Sequence, residues 1–131
     1  MPTEPYSMSM LSPAAVYKRQ QQNPGFNPED GHQLIKATLE YLVRSLGILM
    51  QEPARDSEIF KTHIARVLTS IYVLQSSLDF ERGGEISTNL FQLYEYSRQQ
   101  TLKLMRNDDT AQIDRAYHSI SEIFDAWQKI K

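Results

Sequence analysis

The sequence predicts an all-α protein: an antiparallel up-down four-helix bundle preceded by a short N-terminal helix. Three observations predict it. Apolar residues recur at three- and four-residue spacing over four long stretches of the 131-residue chain, as amphipathic helices require. The stretches are divided by short connections marked by Pro53, Gly83-Gly84 and Asn107-Asp108-Asp109. Helices of about 20 residues, roughly 30 Å long, joined so briefly must run antiparallel. No alternating strand pattern and no internal repeat interrupts them.

The chain suits one domain, placed at residues 11–131 behind a tail at 1–10 whose Pro, Ser, Thr and Met cannot bury themselves. Ser12-Pro13 supplies an N-cap and a first-turn proline, so residues 11–22 are predicted to form the short helix. Asn23-Pro24-Gly25 ends it. With only Val16 and Tyr17 as its main apolar groups, that helix needs a surface to dock on. Asn27-Pro28-Glu29-Asp30 opens the first long helix. There Gln33, Lys36, Glu40, Arg44, Gly47 and Gln51 form one narrow polar stripe, and nearly everything else is apolar. A helix this apolar is buried on more than one side, which makes the short N-terminal helix its expected cover.

Pro53 stops that helix, and Asp56 or Ser57 caps the next. The third predicted helix, about 57–78, places Phe60, Ile64, Val67, Ile71, Leu74 and Leu78 on one stripe, broadened by Ile59, His63, Leu68 and Tyr72. Gly83 and Gly84 are expected at the centre of a helical hairpin, because glycine accepts the positive φ that permits reversal. The helix after them, about 85–105, shows Ile86, Leu90, Leu93, Tyr94 and Ser97 as the stripe facing its partner. Asn107-Asp108-Asp109 is a loop and N-cap cluster. The last helix carries Ile113, Ala116, Tyr117, Ile120, Ile123, Phe124 and Trp127 inward.

Composition excludes several functions. With 14 basic against 16 acidic residues and a net charge of -2, the chain lacks an electrostatic footprint for nucleic acid. The absence of cysteine rules out thiolate chemistry and disulfides. No leader and no membrane-length apolar run is visible, so a soluble cytoplasmic protein without membrane insertion is expected. Glu29-Asp30-Gly31-His32 has the Glu-x-x-His spacing of di-iron bundles, but such centres need two copies and two further carboxylates; no metal or cofactor is expected. His63 borders an apolar stripe, where a hydrogen-bonded structural role is the simpler reading, and His118 faces solvent. His32-Gln33-Leu34-Ile35-Lys36-Ala37 approaches a histidine phosphotransfer motif, yet its lysine is one residue late and no glycine follows. No enzyme is legible. What remains is an excess of apolar and aromatic side chains, including seven tyrosines, the residue favoured in grooves that receive another chain.

The run Ser77-Leu78-Asp79, Gly83-Gly84-Glu85, Asn89-Leu90 and Leu93-Tyr94-Glu95-Tyr96 resembles the flagellar secretion chaperone family (FliS). Asn107-Asp108, Ala126-Trp127, the upstream Tyr17-Lys18-Arg19-Gln20-Gln21 and Pro28 extend the likeness. The resemblance implies an antiparallel bundle that binds the disordered C-terminal segment of flagellin in the cytoplasm, keeps it unassembled, and presents it for type III export. It further implies an N-terminal segment lying over part of the binding surface. On it, Tyr17 is the expected displaceable cover, and Phe60, Ile64, Tyr72, Leu90, Tyr94 and Tyr96 are the candidate groove residues. Export-apparatus or regulatory flagellar proteins are further partners, and a monomer or weak dimer is expected. Leu39-Glu40-Tyr41 departs from the family's Tyr-Asp-Gly, filling space where a small residue is usual. The competing classes are the phosphotransfer domain and a self-associating regulatory bundle.

Overall fold

The computed structural model describes residues 28–130. Four helices make up the described region: α1 (Pro28–Met50), α2 (Glu58–Ser76), α3 (Phe80–Met105) and α4 (Ile113–Gln128). The predicted tail at 1–10, the helix at 11–22 and Tyr17 lie outside the described residues.

Each helix packs on its chain neighbours and α4 closes back on α1, while the diagonal pairs α1–α3 and α2–α4 do not meet. The antiparallel order is visible in three cross-links. Trp127 Nε1 near the end of α4 donates to the His32 carbonyl at the start of α1 (3.1 Å). Arg55, just before α2, donates to the Leu104 carbonyl near the end of α3 (2.7 Å). Tyr96 in α3 donates its hydroxyl to Gln112 Oε1 ahead of α4 (2.8 Å). No described helix is long and apolar enough to cross a membrane.

The helix ends follow local chemistry. α1 stops with Glu52 in the left-handed region (φ 56) and its N–H on the Leu49 carbonyl. The next residue, Pro53, has no N–H for the second bond of such an ending, and the chain leaves the helix there. Ser57 caps α2, its Oγ accepting from the Phe60 N–H at 3.1 Å. α3 closes through Asn107 (φ 61): the Asn107 N–H bonds Leu104 O and the Asp108 N–H bonds Lys103 O, the paired bonds of a Schellman ending.

The core is built unevenly. Leu39, Leu42 and Leu46 of α1, Val67, Ile71 and Leu74 of α2, and Ala116 and Ile120 of α4 are almost wholly buried, as their stripes predict. α3 adds only Tyr94 to the buried hydrophobic cluster. Its other buried side chains are Ser87, Ser97, Gln100 and Thr101. The predicted inward stripe of α3 holds at Tyr94 and Ser97 and is corrected at its other edge, where Ile86 is 69% and Leu93 39% exposed and Leu90 is half-buried. Ile59 and Tyr72 of α2 are likewise exposed rather than part of its packed face.

The hairpin is corrected as well. The chain reverses at Ser77–Asp79, and Asp79 caps α3 by accepting from the Glu81 and Arg82 N–H groups (3.1 Å each). One helical turn precedes the glycines, because Asp79 supplies an earlier and stronger start signal. Gly84 then kinks α3 at φ 50, ψ −122, a backbone state open to glycine and strained for other residues. Gly83 has a different task. A Cβ there would collide with the Ser87 hydroxyl, which reaches back to the Asp79 carbonyl at 2.8 Å. Before α4, Asp108 caps its own turn through the Thr110 N–H and hydroxyl (2.9 and 2.7 Å). The helix itself opens at Ile113 without a side-chain cap, correcting the expected N-cap cluster.

Candidate partner-binding groove

The polar inner face of α3 has a direct consequence outside. Its apolar side chains, at 86, 90 and 93, are displaced toward the seam with α4. There Ile86, Leu90 and Leu93 face Ile123, Ala126 and Trp127, with Ile130 at the end, across a groove of about 390 Å³. Ser119 and Glu122 also line it, and Glu122 is its one charged side chain. Trp127 forms part of the wall and is held firmly: its ring stacks on His32 (5.0 Å, 15°) while its N–H is engaged by the His32 carbonyl. An apolar slot with a fixed aromatic wall favours an apolar side chain from another chain over water.

A second, more interrupted apolar edge lies between α2 and α3. Tyr72, Phe80 and Phe91 are 50%, 49% and 38% exposed, and the two phenyl rings are 6.1 Å apart. Beside them Glu95 accepts from Arg98 (3.0 and 2.7 Å), Gln99 (3.0 Å) and Gln75 of α2 (3.2 Å). The Arg98 hydrogen bonds, with help from Gln99 and Gln75, pull the Glu95 carboxyl down to about 2. This network ties α3 to α2 and gives that edge a polar centre.

Of the residues picked from sequence, Leu90 lies in the α3–α4 groove, half-buried. Tyr72 stands on the α2–α3 edge. Phe60, Ile64 and Tyr94 are 7%, 5% and 3% exposed and belong to the core. Burial pushes the Tyr94 phenol up to about 12. Tyr96 is half-buried and bonded to Gln112. The structure thus brings these residues to four different places. Ile86, Leu93, Ile123 and Trp127 complete the groove, and periodicity had assigned all four to the core. The signal that separates them is small: on α3, Ser87, Tyr94 and Thr101 recur every seven residues and lie a little further round the same face than Ile86, Leu90 and Leu93, toward the core.

The histidines take structural surroundings. His63 Nδ1 lies 3.0 Å from Ser45 Oγ, and burial, followed by the Arg66 charge, holds the imidazole below its usual pKa. His118 is exposed, edge-on to Tyr117. Among the described residues no three His, Cys, Asp or Glu side chains gather closely enough to hold a metal ion.

A helical bundle that leaves a preformed apolar groove open has a surface suited to receiving another chain. The comparison with known proteins gives its family. The family model described as flagellar protein FliS matches residues 13–131. The flagellar secretion chaperone FliSB of Pseudomonas aeruginosa is 30% identical over 97 residues, covering 74% of this chain and 75% of that protein. The flagellar secretion chaperone FliS of Salmonella typhimurium is 39% identical over 57 residues, 44% of this chain and 42% of that one. That of Vibrio cholerae is 34% identical over 67 residues, 51% of this chain and 49% of its own length. No solved structure matches. The chain belongs to the FliS family.

Proposed function

We propose that this protein is a cytoplasmic export chaperone that captures the disordered C-terminal segment of flagellin, prevents its premature polymerisation and presents it to the flagellar type III apparatus. The observation that carries the reading is the apolar seam that α3 leaves open beside α4. A helix that buries serine, threonine and glutamine while holding Ile86, Leu90 and Leu93 at an open seam costs folding stability unless the apolar side is covered at some stage. An amphipathic client helix with anchors at i, i+3 or i+4, and i+7 fits such a seam. Ordering the client costs part of the contact energy, so the affinity is spread over several anchors. Phe60, Ile64 and Tyr94 serve this surface from beneath, by fixing α2 and α3, Leu90 lies in the client's path, and Tyr72 and Tyr96 extend the client-binding surface beyond the seam. Residues 11–22, with Tyr17, act as a competing cover.

Calorimetry with a flagellin C-terminal peptide from the same organism tests the proposal. The expected result is one-to-one submicromolar binding with a large negative heat-capacity change, the mark of apolar burial. Removal of the residues before Pro24 is expected to tighten binding. A well-folded bundle that binds no flagellin peptide would overturn the reading, and concentration-dependent mass without any client would favour self-association.

A further inference from the structure

The end of the bundle opposite Trp127 holds a second concavity. It lies where the α1–α2 connection (51–57) faces the α3–α4 connection (106–112), and its volume is about 660 Å³. A hollow of that size accommodates one or two large side chains of a partner. Leu49, Phe60 and Ile113 give it an apolar floor. Arg55 forms one wall, but its guanidinium is already engaged, donating to Leu104 O at 2.7 Å and lying 5.5 Å above the Phe60 ring.

The remaining charged residues that line this hollow are all acidic. Glu52, Asp108, Asp109 and Asp114 line it. Asp108 is served by Thr110, which donates twice, and by the neighbouring Lys103 and Arg106 charges. Glu52, Asp109 and Asp114 have neither an ion pair nor a side-chain hydrogen bond among the described residues; the ion pairs there are Arg44–Glu40, Arg82–Asp79 and Arg98–Glu95. An anionic or wholly apolar occupant would strip water from three carboxylates and give nothing back. A basic occupant would pair them.

We propose that this hollow docks a basic amphipathic segment of a second protein, with an apolar side chain on the Leu49, Phe60 and Ile113 floor and lysine or arginine against Glu52, Asp109 and Asp114. The α3–α4 groove opens where α3 begins and α4 ends; the hollow lies where α3 ends and α4 begins. The two are filled independently, so this partner joins a loaded chaperone without displacing the segment in the groove. The inference stands whatever the groove holds.

The test uses the full chain and a synthetic amphipathic helix of about four turns, built of leucine, alanine and lysine, beside a twin carrying glutamate for every lysine. Amide NMR shifts locate binding and titration gives the affinity. The lysine peptide is expected to shift amides in 49–60 and 106–116, with affinity that falls as salt rises. D109K/D114K is expected to weaken it at least tenfold, and the neutral pair D109N/D114N by an intermediate factor. The glutamate twin is expected not to bind at this end. Equal binding of both peptides, an unchanged affinity in D109K/D114K, or shifts confined to Ile86, Leu90 and Ile123 would each overturn the proposal. So would self-association of the peptide-free protein that D109K/D114K abolishes, which would assign the hollow to a second copy.

Discussion

Replacing Ile86 by alanine separates binding from folding with one side chain. Full burial of an isoleucine side chain is worth roughly 1.5–3 kcal/mol. Ile86 is 69% exposed in the free protein, so a client that covers it gains about two-thirds of that, roughly 1–2 kcal/mol. Loss of the side chain is therefore expected to raise the Kd for a flagellin C-terminal peptide about 5- to 30-fold. The third already buried contributes on the order of 0.5–1 kcal/mol to folding, and alanine's better helix propensity returns about 0.4 kcal/mol of it. The thermal midpoint should hence fall by no more than about 3 °C. Ile59 is the control: at 56% exposed it presents a similar isoleucine on α2, away from the groove, and Ile59→Ala is expected to leave the affinity within about twofold. Calorimetric titration of both variants, with melting curves, checks the arithmetic. Equal losses in the two, or none in Ile86→Ala, would refute the placement of the client on the α3–α4 seam.

Ser97 is fully buried with its hydroxyl unbonded, so Ser97→Ala is expected to raise stability by about 1–2 kcal/mol. Chemical denaturation checks it, with Thr101→Val as the contrast, since the Thr101 hydroxyl is bonded to Ser97 O at 2.8 Å and its loss should not stabilise. Glu52→Gly relieves a left-handed glutamate and is expected to gain roughly 0.5 kcal/mol; Asn107→Gly should gain less, because asparagine tolerates that region. Acidification should cost stability in two windows. His63 has a folded pKa below its usual 6.5, so the unfolded chain takes up the proton first and stability falls as pH drops below that value. Glu95 has a folded pKa below its usual 4.5, so its network contributes fully above about pH 4.5 and is lost as pH falls toward about 2. Denaturation midpoints against pH should lose the second window in Glu95→Gln.

Much of this architecture was legible because α1, α2 and α4 obey a single rule. In each the centre of the apolar face turns to the core, so Leu42, Val67 and Ile120 are where periodicity puts them. The Ser57 cap and the stop before Pro53 follow equally from local chemistry. α3 carries one broad stripe, and periodicity cannot say which edge of it turns furthest inward. Tyr94 and Ser97 are buried as the stripe predicts, with Ser87 and Thr101 beside them, whereas Ile86 and Leu93 at the other edge are exposed. Tertiary packing decides, and it leaves the more apolar edge at the seam. Likewise the glycines were visible but not their division of labour: Asp79 starts the helix, Gly83 makes room for Ser87, and Gly84 kinks the backbone just past it. The acidic hollow was hidden because Glu52 and Asp114 lie far apart in sequence and meet only when α1 and α4 close the bundle.

Trp127 is the single tryptophan of the chain, and it forms a wall of the groove while stacked on His32. Indole fluorescence, excited at wavelengths the tyrosines do not absorb, therefore reports one place only. A guest in the groove should shift the indole emission to shorter wavelength by excluding water, without any attached dye. The groove comes with its own lamp, so the arrival and departure of any guest can be timed in a stopped-flow cell on the unmodified molecule.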